Sequence, residues 1–310
     1  MSTAAQHEPV MLNEVLHYLA CRRGGTYVDC TVGLGGHSEA VLRGIGPDGL
    51  LIGLDRDDHA LKLAQERLTN GRRIKLFHEN YKNLPLVLNN LHVSEVDGIF
   101  LDLGVSSLQL MSPHRGFSFT IEGPLDMRMD TTQKLTAADL VQQLSEKELA
   151  DIFYNFGGEK KSRPIARRIV QQRAIEPITT TVQLARLIRS VISYARQKIH
   201  PATRVFQALR IAVNDELKGL KEFIHNAIGF LKAQGRMVVI SFHSLEDRIV
   251  KTEFNLLSGK CICFRPAEQC SCPKKKVVRL LTRRPVQPTE EEVHRNPRSR
   301  SAKLRSVEKL

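Results

Sequence analysis

The chain has 310 residues, with 46 Lys and Arg against 33 Asp and Glu for a formal net charge of +13, 42% hydrophobic residues, 6 Cys and no Trp. Charged residues at 25% beside ample Leu, Ile and Val exclude an intrinsically disordered chain, and nothing approaches the ~18 consecutive apolar residues of a membrane span. Met1 to Pro9 has no basic cluster leading into an apolar stretch, so no secretory signal is expected, and a cytoplasmic globular protein without a membrane partner is the default.

In chain order, short continuous apolar runs at Thr26–Cys30, Leu50–Leu54, Arg73–Phe77 and Gly98–Leu103 alternate with amphipathic stretches at His37–Arg43, Asp57–Leu68 and Asn83–Leu91. Continuous rather than alternating hydrophobicity suits strands covered on both faces, and the βαβ rhythm predicts a doubly wound α/β fold with a parallel sheet. From about Met111 the strand runs stop. Helical periodicity follows in Ala137–Phe153, Pro164–Arg173 and Val182–Tyr194, before a helix at Asp215–Lys232 and a strand at Arg236–Ser241 resume the rhythm. This pattern predicts an all-helical domain, residues 111–213, inserted into a cofactor-binding domain built from 1–110 and 214–310. The end, Lys276–Arg283 and Ser301–Val307, reads as a terminal hairpin.

The excess charge is localised. Lys160–Arg210 holds twelve Lys and Arg against Glu176 alone, and Lys274–Leu310 twelve against four Glu, so these stretches carry +11 and +8 and the rest sums to about −6. Two basic segments on a mildly acidic body suit either a polyanion, of which nucleic acid is the commonest, or solvated helix faces.

After the first strand, Tyr27-Val-Asp-Cys-Thr-Val-Gly-Leu-Gly-Gly-His37 forms a glycine-rich turn feeding a helix, where backbone amides can approach a ligand. Gly33, Gly35 and Gly36 do not follow the G-x-G-x-x-G spacing of dinucleotide sites. Asp29 at the strand end would repel a pyrophosphate and attract a cationic amino group such as that of S-adenosylmethionine. Asp55 ends the second strand where a ribose would offer its hydroxyls, Tyr81 follows the third beside an adenine position, and Asp102 ends the fourth, so one adenosine site is expected at the carboxyl edge of the sheet.

Thr31–Ser38, Leu54-Asp-Arg-Asp57, Leu101-Asp-Leu-Gly-Val-Ser-Ser107, Arg115-Gly-Phe-Ser-Phe119, Gly123–Asp130, His200–Ile211 and Ile240–Ile249 together resemble the bacterial RsmH (MraW) family in a single order from about residue 7 to Ala302. The resemblance implies a Rossmann-like class I S-adenosylmethionine-dependent methyltransferase that methylates N4 of a cytosine in the decoding centre of 16S ribosomal RNA, within a small-subunit particle. It implies cofactor contacts from Gly35, Gly36, His37, Asp55, Asp102 and Gln109. Tyr81 stands where the family often has Phe and keeps an aromatic face; Leu108 replaces a frequent Pro. The oligomeric state stays open, a dimer among the options.

On the substrate side, Asp102 is either the acceptor for the N4 hydrogens, with Ser106 behind it, or purely a cofactor ligand. Phe242 and His243, in the turn after the fifth strand, are candidates to stack on and bond an everted base, or else a packed aromatic and a satisfied His. Arg115 and Phe117 are candidates for the substrate entrance or for a hinge core. Arg204 and Arg210 read as a positive helix face, with Arg163, Arg167 and Arg168 extending it along the RNA backbone.

Cys261-x-Cys263-x6-Cys270-x-Cys272 groups four thiols in one short loop. In a cytoplasmic protein that spacing admits a structural zinc or unligated, redox-active thiols.

Overall fold

The structure, a computed structural model, describes residues 8–68, 73–192, 200–263, 270 and 275–310. It divides into two compact units, Met1–Gly104 with Lys218–Leu310, and Val105–Leu217.

The first unit is built on a sheet whose strands are buried on both faces. Strand β1 (Thr26–Asp29) is flanked by β2 (Leu50–Asp55), itself paired with β3 (Ile74–His78), and on its other side by β4 (Val96–Asp102) and β5 (Leu231–Ser241), all parallel. Strand β7 (Lys303–Lys309) runs antiparallel between β5 and β6 (Val278–Leu280), giving the order β3-β2-β1-β4-β5-β7-β6. The doubly wound class expected from the apolar runs is the class observed. Along each strand, successive residues enter opposite cores, so Tyr27 and Leu51 pack on one face and Val28 and Ile52 on the other. Leu51 and Ile52 have no exposed surface, and each such side chain contributes ~1.5–3 kcal/mol.

Helices α1 (Leu12–Leu19), α2 (Gly36–Ile45) and α3 (Asp58–Leu68) cover the first face through Val15, Leu19, Val41, Leu42, Leu61 and Leu68. Helices α4 (Leu84–Asn90), α11 (Leu220–Gly229) and α12 (Ser244–Leu257) cover the other through Leu84, Leu88, Phe223, Ile224, Val250 and Phe254. Helices on both faces force the strand carboxyl ends, and the loops after them, to one edge.

The second unit holds α5 (Ser107–Met111), α6 (Ala137–Gln143), α7 (Glu146–Asn155), α8 (Ser162–Arg173), α9 (Thr181–Val191) and α10 (Ala202–Asn214) around its own core of Leu149, Phe153, Ile165, Ile169, Leu184, Ile188, Val205 and Leu209. The single helix expected over Ala137–Phe153 is two. Ser145 starts the second by a capping box, its Oγ accepting from Glu148 N at 3.3 Å while its own N–H donates to Glu148 Oε2 at 2.8 Å. The helix expected over Asp215–Lys232 is shortened to α11, because Asp215 and Gly219 adopt φ of 50° and 78° and break it, and β5 begins at Leu231. The terminal hairpin expected from the sequence is the β6–β7 pair, with α13 (Glu290–Arg295) in its connection.

Candidate functional site

The glycine turn leaves β1 at Asp29. Gly33 sits at φ 53°, and a Cβ there would meet nothing within 4 Å, so the backbone faces open space at that point. Gly36 has the opposite reason for lacking a side chain: a Cβ would lie 2.5 Å from Pro9 Cγ, so the helix start fits closely under the N-terminal segment. Gly35, at φ 80°, is backed by Leu68.

Asp29 is not at the surface of this turn. It is 1% exposed, its Oδ2 accepts from Ser38 Oγ at 2.6 Å and its Oδ1 from Thr31 N at 3.1 Å. Through these bonds the carboxyl ties the turn to the first turn of α2. Burial pushes its pKa from 3.8 up to about 6 despite those two donors. Asp55 braces the turn from β2, its Oδ2 accepting from Gly33 N at 2.6 Å and its Oδ1 from Asp57 N at 2.8 Å, and burial likewise raises it to about 6. Each carboxylate oxygen keeps a second lone pair for a ligand hydroxyl.

Asp102 is different. Its backbone N–H donates to Thr31 Oγ1 at 2.7 Å, but its side-chain Oδ1 is buried with no hydrogen-bond partner among the described residues. Its pKa is held well above the ordinary carboxylate range, first by burial and then by the charges of Asp29 and Glu246. His37 Nδ1 lies 3.8 Å from Asp102 Oδ2, and its Nε2 bonds the Val10 carbonyl at 2.9 Å. A carbonyl only accepts, so Nε2 carries the hydrogen of that bond and the ring's Nδ1 edge faces Asp102. Tyr81 is 8% exposed with its ring edge-on to Phe223 at 4.8 Å between centroids.

After β5, Phe242 is half-buried over Gly104 and His243 is the N-cap of α12. His243 Nδ1 accepts from Glu246 N at 3.5 Å, Glu246 Oε2 accepts from Phe242 N at 2.9 Å and His243 N at 3.3 Å, and His243 Nε2 faces Glu246 Oε1 at 3.1 Å. His243 thus caps α12 with a side chain 7% exposed, and its Nε2 makes no hydrogen bond among the described residues. Phe242, His243 and Ser244 line one side of a pocket of about 240 Å³ whose other side carries Gln287, Arg300 and Lys303. Glu246, 1% exposed, went unnoticed in the sequence; His followed three residues later by Glu, ahead of a helical apolar pattern, was the available signal.

Apart from the cysteines, the remaining expected site residues lie in the helical unit. Ser106 and Gln109 form the capping box of α5, Ser106 Oγ accepting from Gln109 N at 3.2 Å and Gln109 Oε1 from Ser106 N at 3.0 Å. Arg115 is 5% exposed and donates to the Arg128 and Met129 carbonyls at 2.9 Å, and Phe117 belongs to the helical core. Arg210 donates twice to Glu216 at 2.8 Å, so its charge is neutralised internally, which corrects its expected place on a phosphate-facing surface. Arg204 is 40% exposed at its side chain, 3.8 Å from Glu159. Cys261, Cys263 and Cys270 converge, while Cys272 lies outside the described residues.

A parallel doubly wound sheet with an antiparallel strand slipped between its last two, and a glycine turn and three acidic strand ends on its carboxyl edge, define a methyltransferase-type α/β fold. The profile of the MraW methylase family matches residues 4–310, and the chain belongs to that family. It is 52% identical over 309 residues to "Ribosomal RNA small subunit methyltransferase H" of Syntrophobacter fumaroxidans, covering 99% of this chain and 97% of that one. It is 46% identical over 307 residues to the protein of the same name from Halothermothrix orenii, covering 98% and 99%. Among solved structures, an rRNA methylase from Streptococcus thermophilus covers 96% of this chain and 93% of its own at 11% identity, with a TM-score of 0.40.

Proposed function

We propose that the protein transfers the methyl group of S-adenosylmethionine to N4 of a cytosine in the decoding centre of 16S ribosomal RNA, acting in the cytoplasm on a small-subunit particle. Family membership supports methyl transfer, and the relatives' shared name supports the small ribosomal subunit as the target. The observation that carries the chemistry is the buried, unpartnered Oδ1 of Asp102 at the end of β4.

S-adenosylmethionine supplies a methyl group on a positively charged sulfur. The sheet edge fits such a group: Asp29, Asp55 and Asp102 all have their ionised forms disfavoured by burial, and a cation is what would restore them. Gly33 leaves the approach open, and Asp55, whose oxygens each accept one backbone N–H, would accept ribose hydroxyl hydrogens on their remaining lone pairs. Cytosine N4 is a weak nucleophile because its lone pair is delocalised into the ring. Asp102 Oδ1, accepting an N4 hydrogen, localises that pair and takes up the proton released as N4 gains the methyl group. Fixed acceptors in a partly desolvated edge act mainly by positioning and by stabilising charge as it shifts.

The helical unit is assigned to substrate recognition. Arg163, Arg167 and Arg168 of α8 and Arg186 and Arg189 of α9 are exposed, and Arg168 and Arg186 flank a groove of about 290 Å³. Such a surface suits phosphates, which position an RNA without reading it.

The test is transfer of labelled methyl to small-subunit particles and to free 16S RNA, followed by nucleoside analysis. N4-methylcytidine is expected; a different methylated nucleoside would overturn the specificity. No product despite bound cofactor would make the protein an assembly factor instead.

A further inference from the structure

Lys260–Lys276 join α12 to β6, and Val277 N donates to the Leu257 carbonyl at 2.8 Å. This stretch has only two large apolar side chains, Ile262 and Phe264, so it has nothing with which to build a core. Short segments in that position are held by cross-links or metals.

Three thiols of the stretch meet. Cys261 Sγ lies 3.3 Å from Cys263 Sγ and 3.4 Å from Cys270 Sγ, and Cys263 Sγ lies 3.4 Å from Cys270 Sγ. None of the three is in a disulfide. A pair destined for oxidation would single out one partner, whereas these three are equidistant, the arrangement of ligands around a common point.

We infer that Cys261, Cys263 and Cys270 bind one zinc ion that staples this loop, a site independent of the methyl-transfer reading. An equilateral sulfur triangle of this size has its centre roughly 2 Å from each sulfur, less than the ~2.3 Å of a zinc–thiolate bond. The ion therefore sits out of the sulfur plane. A planar three-thiolate ion would need a wider triangle. A regular tetrahedron has sulfur edges near 3.8 Å, so the thiols spread by ~0.4 Å as they are deprotonated and take up the metal. A group of thiolates alone is the donor set of a structural rather than a catalytic zinc.

The full-length protein, purified without chelator and dialysed, is expected to carry about one zinc per chain. Cys263→Ser and Cys270→Ser are each expected to lower this at least tenfold, while Cys30→Ser leaves it unchanged. Replacement of the metal with cobalt should give sulfur-to-metal charge transfer and the intense visible bands of a tetrahedral site. Should the serine variants fail to fold, an organomercurial added to the unaltered chain should release zinc to a chromogenic chelator in step with thiol modification. Zinc at background after incubation with the metal, zinc retained in Cys263→Ser, or iron with acid-labile sulfide in its place would each overturn the assignment.

Discussion

At the carboxyl edge of the sheet, charge is negative and buried: Asp102 keeps an oxygen with no hydrogen-bond partner among the described residues, and Asp29 and Asp55 are pushed toward neutrality by burial. On α8 and α9 charge is positive, exposed and spread along helix faces whose opposite sides form a core. Buried charges interact strongly with one fixed ligand because little water screens them, while exposed ones act collectively and yield to salt. The two regions thus suit two different jobs, holding a small cation and lying along a polyanion.

The largest expected effect separates them directly. Raising salt from about 50 to 200 mM should weaken RNA binding by roughly 10³- to 10⁵-fold if six to ten phosphates are engaged. Cofactor binding, followed by titration calorimetry, should change little; equal loss of both would erase the contrast. Next, Asp102→Ala should lower the single-turnover methyl-transfer rate by about 10²- to 10³-fold with RNA affinity intact. A rise in cofactor Kd with an unchanged rate would instead make Asp102 a cofactor ligand only.

The buried carboxyls also predict a pH dependence. Asp29 and Asp55 bind their protons more tightly folded than unfolded, so their contribution to stability is present below pH 3.8 and is lost as pH rises through about 6. Denaturant unfolding of the cofactor-free protein should show this fall, and Asp29→Asn should flatten it; a slope unaltered in that variant would mean that Asp29 is not the source. The smallest effect belongs to the helical unit, where Ser145→Ala removes a cap and should cost ~1 kcal/mol without changing cofactor affinity.

Much of this was legible in the chain. The runs at Thr26, Leu50, Arg73 and Gly98 located β1 to β4 within two residues, because strands buried on both faces leave an unbroken apolar signature. Helices α1 and α12 went unread: α1 is only eight residues long, and α12 begins with a histidine cap, outside the usual Ser, Thr, Asp and Asn set. At the site, residue identity located Asp29, Asp55, Asp102 and His243 at strand ends. Direction was not legible there, since whether Asp29 faces a ligand or Ser38 depends on a backbone turn and a neighbouring helix, and whether Arg210 faces solvent depends on Glu216 six residues later.

The pairing of β4 with β5 has a temporal consequence. Residues 103–230 separate the strands in sequence, so during synthesis β4 emerges long before its neighbour exists. At translation rates of about 5–20 residues per second, that delay is roughly 6–25 s. For that interval β4, whose residues Ile99 to Leu101 are almost fully buried in the finished sheet, is an uncapped apolar edge on the nascent chain. Meanwhile the helical segment, rich in local contacts and with its own core, can fold within milliseconds of leaving the ribosome. The insertion therefore makes completion of the sheet the late step of biogenesis, and places its greatest exposure to misassembly between the emergence of Asp102 and that of Leu231.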